Sequence, residues 1–414
     1  MNILITDYYC ASNRGDAAIL EGAYQSLKEV YPDSDITVMT ENPKAAKFVN
    51  GIDAEKQILA GFQWTVSKKN AARTYLSLTS QLYTHEIPIP GFEYIKKQAN
   101  LEPYLNADLV ISTGGQFLTD IYFPEKVGIL WEHFYLSQLD TPVVIYAQTL
   151  GPFERSPYRQ ITRAVLNEID LIITRDEKSK QLVEDMGVST PIRFTADAAF
   201  SMEVGGNKET LLDCLKSNDA LPEEQTVSIS IREWSGSNEN IAVEDYAQDV
   251  ADVADWLIFE QNMNVVFAST CTSLGGYHID DRLMAAKVVD MMEHGESDNV
   301  QIISGEYTPQ QLVDIYDKME LHIGMRMHSN VLAMLAETPV VAIQYQFKTE
   351  GLMKMFDLKD YMIDITEVTS DSLRNIVEKA LNQRIIIEDS ISSELETVEE
   401  RSHRSAQLVR QHIG

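Results

Sequence analysis

The sequence predicts an α/β protein made of two parallel-sheet halves, and three observations carry that expectation. Short apolar runs alternate with helix-period patterns. The alternation breaks off in a polar stretch between Met202 and Gln225 and then starts again. The length, 414 residues, accommodates two domains of about 200.

In the first half, residues 1–6 read as a core strand. Asp16 can cap a helix whose apolar positions are Ile19, Leu20, Ala23, Leu27 and Val30, ending before Pro32. Residues 35–39, 108–112, 142–148 and 171–174 read as further strands, the last followed by a helix through Met186 that stops at Gly187. Strands separated by helices indicate a parallel sheet covered on both faces. In the second half, residues 226–232 alternate Val227, Ile229 and Ile231 with Thr and Ser, as a strand does. Residues 264–269, 321–324 and 339–345 follow as strands, with a short helix at about 329–337 between the last two. Beyond Thr366 the chain reads as charged helix. The expected organisation is a domain over 1–204, a second over 205–390, and a terminal helix over 391–414 packing across both. Ligands of such sheets bind beyond the carboxyl ends of the strands, so the cleft between the halves is the default site.

Composition narrows the function. Lys and Arg number 34 against 63 Asp and Glu, a net charge of −29, which argues against general binding to nucleic acid or anionic lipid. The bland reading of the acid excess is a solvated surface. The hydrophobic fraction is 44% and the charged fraction 23%, ordinary for a globular protein. Cys10, Cys214 and Cys271 are odd in number and far apart with no CxxC, so neither a disulfide framework nor a zinc site is supported, and a reducing compartment is expected. Eight His lack HExxH-type spacing, and no metal is expected. The start has no basic, apolar leader pattern, and nowhere do 18 apolar residues run together, so a cytoplasmic location is expected.

Several strand ends carry chemistry. Asn13-Arg14-Gly15-Asp16 lies between the first strand and first helix. Gly15 permits a tight turn, and the helix N-terminus offers N–H groups to an anion or a sugar hydroxyl; a plain N-cap loop is the alternative. Without a GxGxxG pattern a dinucleotide is poorly supported. Gly114 and Gly115 follow a buried strand and let a ligand approach the backbone, with Gln116 to orient hydroxyls, though such turns also serve packing. Gly324-Met325-Arg326-Met327-His328-Ser329 joins a strand to an apolar helix. Arg326 and His328 are two apart and share a side if extended, so a guanidinium, an imidazole and free N–H groups converge, suiting a phosphate or carboxylate that needs a proton donor. Lys348, after the next strand, could meet the same anion, or sit in solvent. Arg232 ends the strand at 226–232 as a second guanidinium. Asp280 and Asp281 point apart on a helix and read as capping rather than metal binding. Arg155, Arg159 and Arg163 recur at helical spacing as a solvated or partner-facing stripe.

These residues resemble the polysaccharide pyruvyl transferase family. The matching stretches are NRGDAAILEG, DLVISTGGQFLTDIY, GPFERSPYR, ITRDEKSKQLVEDMGV and TADAAF, then SIREW, ASTCTSLGGYHIDDR, GMRMHSNVLAMLAETPVVAIQY and FKTEG, in order over nearly the whole chain. STCTSLGGYHIDDR is most similar to the colanic acid or amylovoran type of exopolysaccharide enzyme. The resemblance implies a fold like GT-B glycosyltransferases, two Rossmann-like domains facing across a cleft. It implies transfer of pyruvate from phosphoenolpyruvate to two hydroxyls of a sugar, giving a cyclic ketal, with phosphoenolpyruvate as co-substrate and no further cofactor. The family's R-x-H-S arginine and histidine fall on Arg326 and His328, and its substrate arginine on Arg232. Met327 stands where the family often has Leu.

On that basis His328 is expected as general acid, Arg326 as its catalytic partner and Asp16 as base or acceptor orienter. Arg232, Lys348 and Ser329 are expected on the donor side, with Asn13, Gly15, Gly114, Gly115 and Gln116 lining the acceptor side. The expected partners are phosphoenolpyruvate and a saccharide; a lipid-linked acceptor would bring the chain to the membrane surface. Two other readings fit the architecture: a GT-B glycosyltransferase using a nucleotide sugar, with Lys348 and Glu350 on diphosphate and ribose, and a non-catalytic sugar-binding relative.

Overall fold

The structure is a computed structural model that describes residues 1–57, 102–121, 127–156, 158–205, 225–234 and 242–414. Most of the expected linker, 206–224, and with it Cys214, lies outside the described residues. The chain divides into two compact units. The first comprises 1–11, 19–202 and 400–414; the second comprises 12–18 and 203–399. Residues 12–18, which the sequence groups with the N-terminal half, therefore cluster with the second unit.

The first unit holds a seven-stranded parallel sheet of β1 (Asn2–Tyr8), β2 (Asp35–Thr40), β3 (Ala54–Lys56), β4 (Leu109–Ser112), β5 (Val143–Gln148), β6 (Leu171–Thr174) and β7 (Ile192–Phe194), in the order β3-β2-β1-β4-β5-β6-β7. β4, β5 and β6 are buried at every residue, because a parallel strand covered by helices on both faces has no solvated side. Leu4, Val110, Ile145 and Ile172 join Leu118, Phe153 and Val183 in the core. Two strands carry strain near their carboxyl ends: Asp7 has φ 61° and Ala147 φ 50°, each where the register of β1 and β5 slips. Left-handed backbone in a non-glycine residue is uncommon and costs of order 1–3 kcal/mol.

The second unit holds a six-stranded parallel sheet of β8 (Thr226–Ser230), β9 (Asn264–Phe267), β10 (Val300–Ile302), β11 (Leu321–Gly324), β12 (Val340–Gln344) and β13 (Met362–Asp364), ordered β10-β9-β8-β11-β12-β13. Each sheet thus reverses direction beside its first strand, the position where doubly wound sheets bind ligands. The Ser–Ile alternation of β8 does not mark a solvated face. Ser228 is fully buried, and its hydroxyl meets Nδ1 of the buried His322 at 2.8 Å. The expected strands are all present, with ends shifted by at most two residues. The short edge strands β3, β7, β10 and β13, three residues each, carry too little pattern to be read beforehand.

Two helix starts differ from expectation. The first helix is Arg14–Val30, so Asp16 lies inside its first turn. Asn13 holds the start instead, its Oδ1 accepting from the Gly15 N–H at 3.1 Å. The helix after β11 is Met327–Leu335 rather than 329–337, with Arg326 as its capping residue. Arg326 is extended but His328 is already helical, so the shared-side reading of their spacing, which needs extended backbone through both, fails. The terminal helix runs Arg384–Ile413. Within the first unit its Ser402 Oγ donates to Asp197 O at 2.9 Å and its Ser405 Oγ to Thr195 Oγ1 at 2.8 Å.

Candidate functional site

The second unit gathers the cationic residues singled out in the sequence. Arg232 follows β8, Arg326 follows β11, and Lys348 lies in the first turn of the helix Phe347–Met355 after β12. The three surround Tyr345. Arg232 Nη1 donates to Tyr345 Oη at 3.1 Å. Burial alone would raise the Tyr345 phenol, but the charges of Arg232, Lys348 and Arg326 bring it down to about 8. The Arg232 guanidinium lies 5.0 Å from the Tyr345 ring centre and 5.4 Å from that of Trp234, and the two rings pack at 4.6 Å. Tyr246 fixes this turn: its hydroxyl donates to Arg232 O and accepts from the Trp234 N–H, both at 2.8 Å. A protein of charge −29 thus builds a local cationic cluster at one sheet edge.

Arg326 is buried, 8% exposed. Its Nε and Nη2 grip both carboxylate oxygens of Asp281, which is 1% exposed. Burial opposes the charged guanidinium, yet Asp281 holds its pKa well above the ordinary value. Nη1 keeps no partner among the described residues, so Asp281 takes one full edge of the guanidinium fork. Asp280 caps the helix Asp281–Met291 through the Arg282 N–H at 3.1 Å, as capping would have it, and Asp281 is the counterion of Arg326.

His328 is half-buried in the first turn of Met327–Leu335. A Cβ added at Gly15 would stand 2.5 Å from the His328 Cγ and Nδ1, so only glycine lets the 13–16 turn lie against the imidazole. That turn is tied down on its other side. Arg14 N–H donates to Thr270 O at 2.8 Å, Thr272 N–H donates to Ser12 O at 3.0 Å, and Asn13 pairs with Cys271 as an isolated bridge. The Arg14 side chain, 1% exposed, donates to Tyr307 O and pairs with Glu306. Glu306 also accepts from Thr272 Oγ1 at 2.7 Å and pairs with Arg282 at 3.1 Å. Asp16 is half-buried, and it stands with Arg326, Asp281 and Arg232 around Cys271, whose thiol burial pushes up to about 12. That thiol is therefore no nucleophile at neutral pH.

The structure gives Ser329 a different task from the ligand contact expected of it. It is fully buried; its Oγ donates to Arg326 O at 2.8 Å and lies 3.0 Å from His322 Nε2. Burial pushes His322 down to about 3, so this imidazole is neutral and braces the turn carrying Arg326. Around these strand ends Ser230 Oγ, Thr270 Oγ1, Trp234 Nε1 and both amide atoms of Gln346 are buried without a hydrogen-bond partner among the described residues. Each such group costs about 1–3 kcal/mol unless something polar meets it.

Gly114, Gly115 and Gln116 belong to the first unit. Both glycines have packing reasons. A Cβ at Gly114 would lie 2.8 Å from Ile19 Cγ2 and 3.1 Å from Ala147 O, and Gly115 has φ 146° with Phe117 against it. Gln116 Nε2 donates to Gly151 O at 3.1 Å, while its Oε1 and Thr113 Oγ1 stay unpartnered among the described residues. Beside them lies a network that sequence reasoning missed. Asp7 accepts from Ser112 Oγ at 2.6 Å and lies 3.2 Å from His133 Nε2, and His133 Nδ1 donates to Ile129 O at 2.8 Å. Glu132 accepts from Gln57 at 2.9 Å and Tyr104 at 3.1 Å. All of Asp7, Ser112, Glu132 and His133 are at most 4% exposed. Burial opposes both charges of the Asp7–His133 pair, but their mutual attraction keeps Asp7 low and His133 high. Burial, then the Asp7 charge, pushes Glu132 up to about 7.

Among the described residues no group of three or more His, Cys, Asp and Glu could hold a metal ion, and no helix is long and apolar enough to cross a membrane.

Comparison with known proteins follows this geometry. Solved structures similar over the whole fold include the Staphylococcus aureus MnaA–UDP complex, with 12% identity, TM-score 0.62, and coverage of 100% of this chain and 96% of that one. The Neisseria meningitidis UDP-GlcNAc 2-epimerase bound to UDP-GlcNAc has 11% identity, TM-score 0.62, and coverage of 99% and 100%. Anabaena Alr3699/HepE with UDP and glucose has 14% identity, TM-score 0.57, and coverage of 99% and 98%. The fold is thus GT-B-like, two parallel-sheet α/β domains. In sequence the chain is 26% identical over 411 residues to the amylovoran biosynthesis protein AmsJ of Erwinia amylovora, covering 96% of each. The profile described as polysaccharide pyruvyl transferase matches residues 13–346, a span that holds Asn13, Gly15, Arg232, Arg326 and His328, and the chain belongs to that family.

Proposed function

We propose that this protein transfers pyruvate from phosphoenolpyruvate to two hydroxyls of one sugar, forming a cyclic ketal during exopolysaccharide biosynthesis. The observation that carries the reading is the cationic cluster of Arg232, Lys348 and Arg326 around Tyr345, built in a chain of charge −29, with His328 two residues beyond Arg326. Family membership and the likeness to an amylovoran biosynthesis protein support the same class of reaction.

Phosphoenolpyruvate carries a carboxylate and a phosphate on an enol ether, and guanidinium groups suit both anions. Arg232, held by its aromatic neighbours, and Lys348 supply net positive charge, while Arg326 contributes Nη1. His328 gives its proton to the methylene carbon, which becomes the methyl group, and positive charge develops at the central carbon. A sugar hydroxyl attacks that carbon and loses its proton, with Asp16 as the carboxylate that takes or orients it. The carbon–oxygen bond to phosphate then breaks, phosphate leaves with the electron pair, and the second hydroxyl closes the ring with loss of its proton. Gly15 keeps the turn close enough to fix the imidazole. Gln116 Oε1 and Thr113 Oγ1, unpartnered among the described residues, are acceptors that sugar hydroxyls would satisfy; a lipid-linked sugar would bring the protein to a membrane surface.

An acid of this kind contributes about 10²–10⁴-fold in rate. His328→Asn should lower phosphate release from phosphoenolpyruvate by that factor, with the unfolding midpoint unchanged; unaltered turnover removes His328 from the mechanism. The second reading, a nucleotide-sugar glycosyltransferase, is favoured by the UDP in the similar solved structures. Nucleotide release in place of phosphate release would select it. Binding of phosphoenolpyruvate that is lost in Arg232→Ala would speak against a non-catalytic sugar-binding protein.

A further inference from the structure

Tyr345 is the one group at the centre of the cationic cluster whose hydrogen bonding is half used. Its Oη accepts from Arg232 Nη1 at 3.1 Å, and its O–H has no acceptor among the described residues. Its ring cannot swing freely: it packs on Trp234 at 4.6 Å and under the Arg232 guanidinium at 5.0 Å, and Tyr246 pins the Arg232–Trp234 backbone. The largest charge effects on it are those of three cations, Arg232 after β8, Lys348 in Phe347–Met355 and Arg326 at the cap of Met327–Leu335, with Asp281 paired to Arg326 and Glu350 in the same first turn as Lys348.

We propose that the Tyr345 hydroxyl is itself a ligand contact, donating its hydrogen bond to an oxygen of the phosphoryl or carboxylate group that Arg232, Lys348 and Arg326 hold. The proposal rests on the reading that a small phosphorylated acid binds at this cluster. Its physical content is a proton donor that disappears on titration. Burial favours the neutral phenol, but the three cations lower it to about 8. Below that pH the group is a donor. Above it the group is a phenolate, which offers no proton and repels an anion. Ligand affinity should therefore fall as pH rises through about 8. A bound anion in turn should push the phenol upward, since binding and protonation are linked. A tyrosine that only stacks on Arg232 would show neither effect.

The test uses the full chain. Difference absorbance of the phenolate band, wild type against Tyr345→Phe, isolates the early-ionising phenol, and the titration is repeated with saturating phosphoenolpyruvate and with inorganic phosphate. The expected result is a rise of its midpoint by about one unit or more with a bound anion, as a contact to a charged group would give. Calorimetry should show affinity about ten- to a hundredfold weaker in Tyr345→Phe near neutral pH, with the drop above pH 8 abolished. An unmoved midpoint with calorimetrically bound ligand overturns the proposal. If phosphoenolpyruvate fails to bind but inorganic phosphate shifts the phenol, the contact stands and the donor assignment falls. A phenol unmoved by either anion sinks the contact.

Discussion

At the carboxyl edge of the first sheet the charged groups are sealed in the interior; at the same edge of the second, Arg232 and Lys348 are partly exposed and gather with Arg326 near one phenol. Asp7, Ser112 and His133 bind one another, Glu132 accepts from Gln57 and Tyr104, and all four are nearly inaccessible, although Asp7 Oδ1 has no partner among the described residues. Arg232 and Lys348 are half-buried and face a phenol with a donor to spare. Sheets with the same winding therefore reach different ends. A buried network fixes backbone, here the strained ends of β1 and β5, whereas cations gathered at a partly exposed phenol lower its pKa, the kind of perturbation that marks a candidate site. Arg326 belongs to both kinds. Its pairing with Asp281 makes it a structural charge, while Nη1 has no partner among the described residues.

The sharpest way to break this contrast is to remove the counterion. Asp281→Ala should leave the Arg326 guanidinium buried without its pair and lower stability by about 3–5 kcal/mol in urea unfolding. A loss near zero would mean that Arg326 turns to solvent and is as open as Arg232. The sealed network makes an opposite prediction through pH. Glu132 titrates at about 7 when folded and at the ordinary 4.5 when unfolded, so the raised group favours the folded state at low pH. That contribution is lost as pH rises from about 4.5 through 7, a change of at most about 3 kcal/mol. Glu132→Gln should therefore be more stable than wild type at pH 8 and flatten that part of the stability–pH curve. Equal slopes in the two proteins would show the carboxyl to be solvated. The smallest expected effect concerns Ser329. Ser329→Ala removes one donor to Arg326 O and one partner of His322, and should cost about 1 kcal/mol of stability while leaving anion affinity by calorimetry within a factor of about two. A large loss of affinity at unchanged stability would return Ser329 to the ligand.

Much of the second-unit site was legible in the sequence because its parts sit at strand ends. β8, β11 and β12 are marked by apolar runs, and Arg232, Arg326, His328 and Lys348 follow within four residues of their last positions. The partners of these residues were not legible. Asp281 lies 45 positions from Arg326, and Glu306 lies 292 from Arg14. No local periodicity links such pairs. Ser329 misled because an exposed hydroxyl and one buried against His322 look alike in sequence. Gly15 was read as a turn former, and its stronger reason, the imidazole against it, exists only once the chain is folded.

The sequence by itself determined two parallel-sheet halves, since period, punctuation and length are local properties that every window of the chain reports. Its motifs also determined the family. Only the tertiary structure decided which charges are neutralised and which remain available, because that depends on groups brought together from distant strand ends and on how much water is left between them. The −29 of the whole chain does not foretell a site where three cations surround one phenol, for the energy of a charge is set by its nearest neighbours and its burial rather than by the sum.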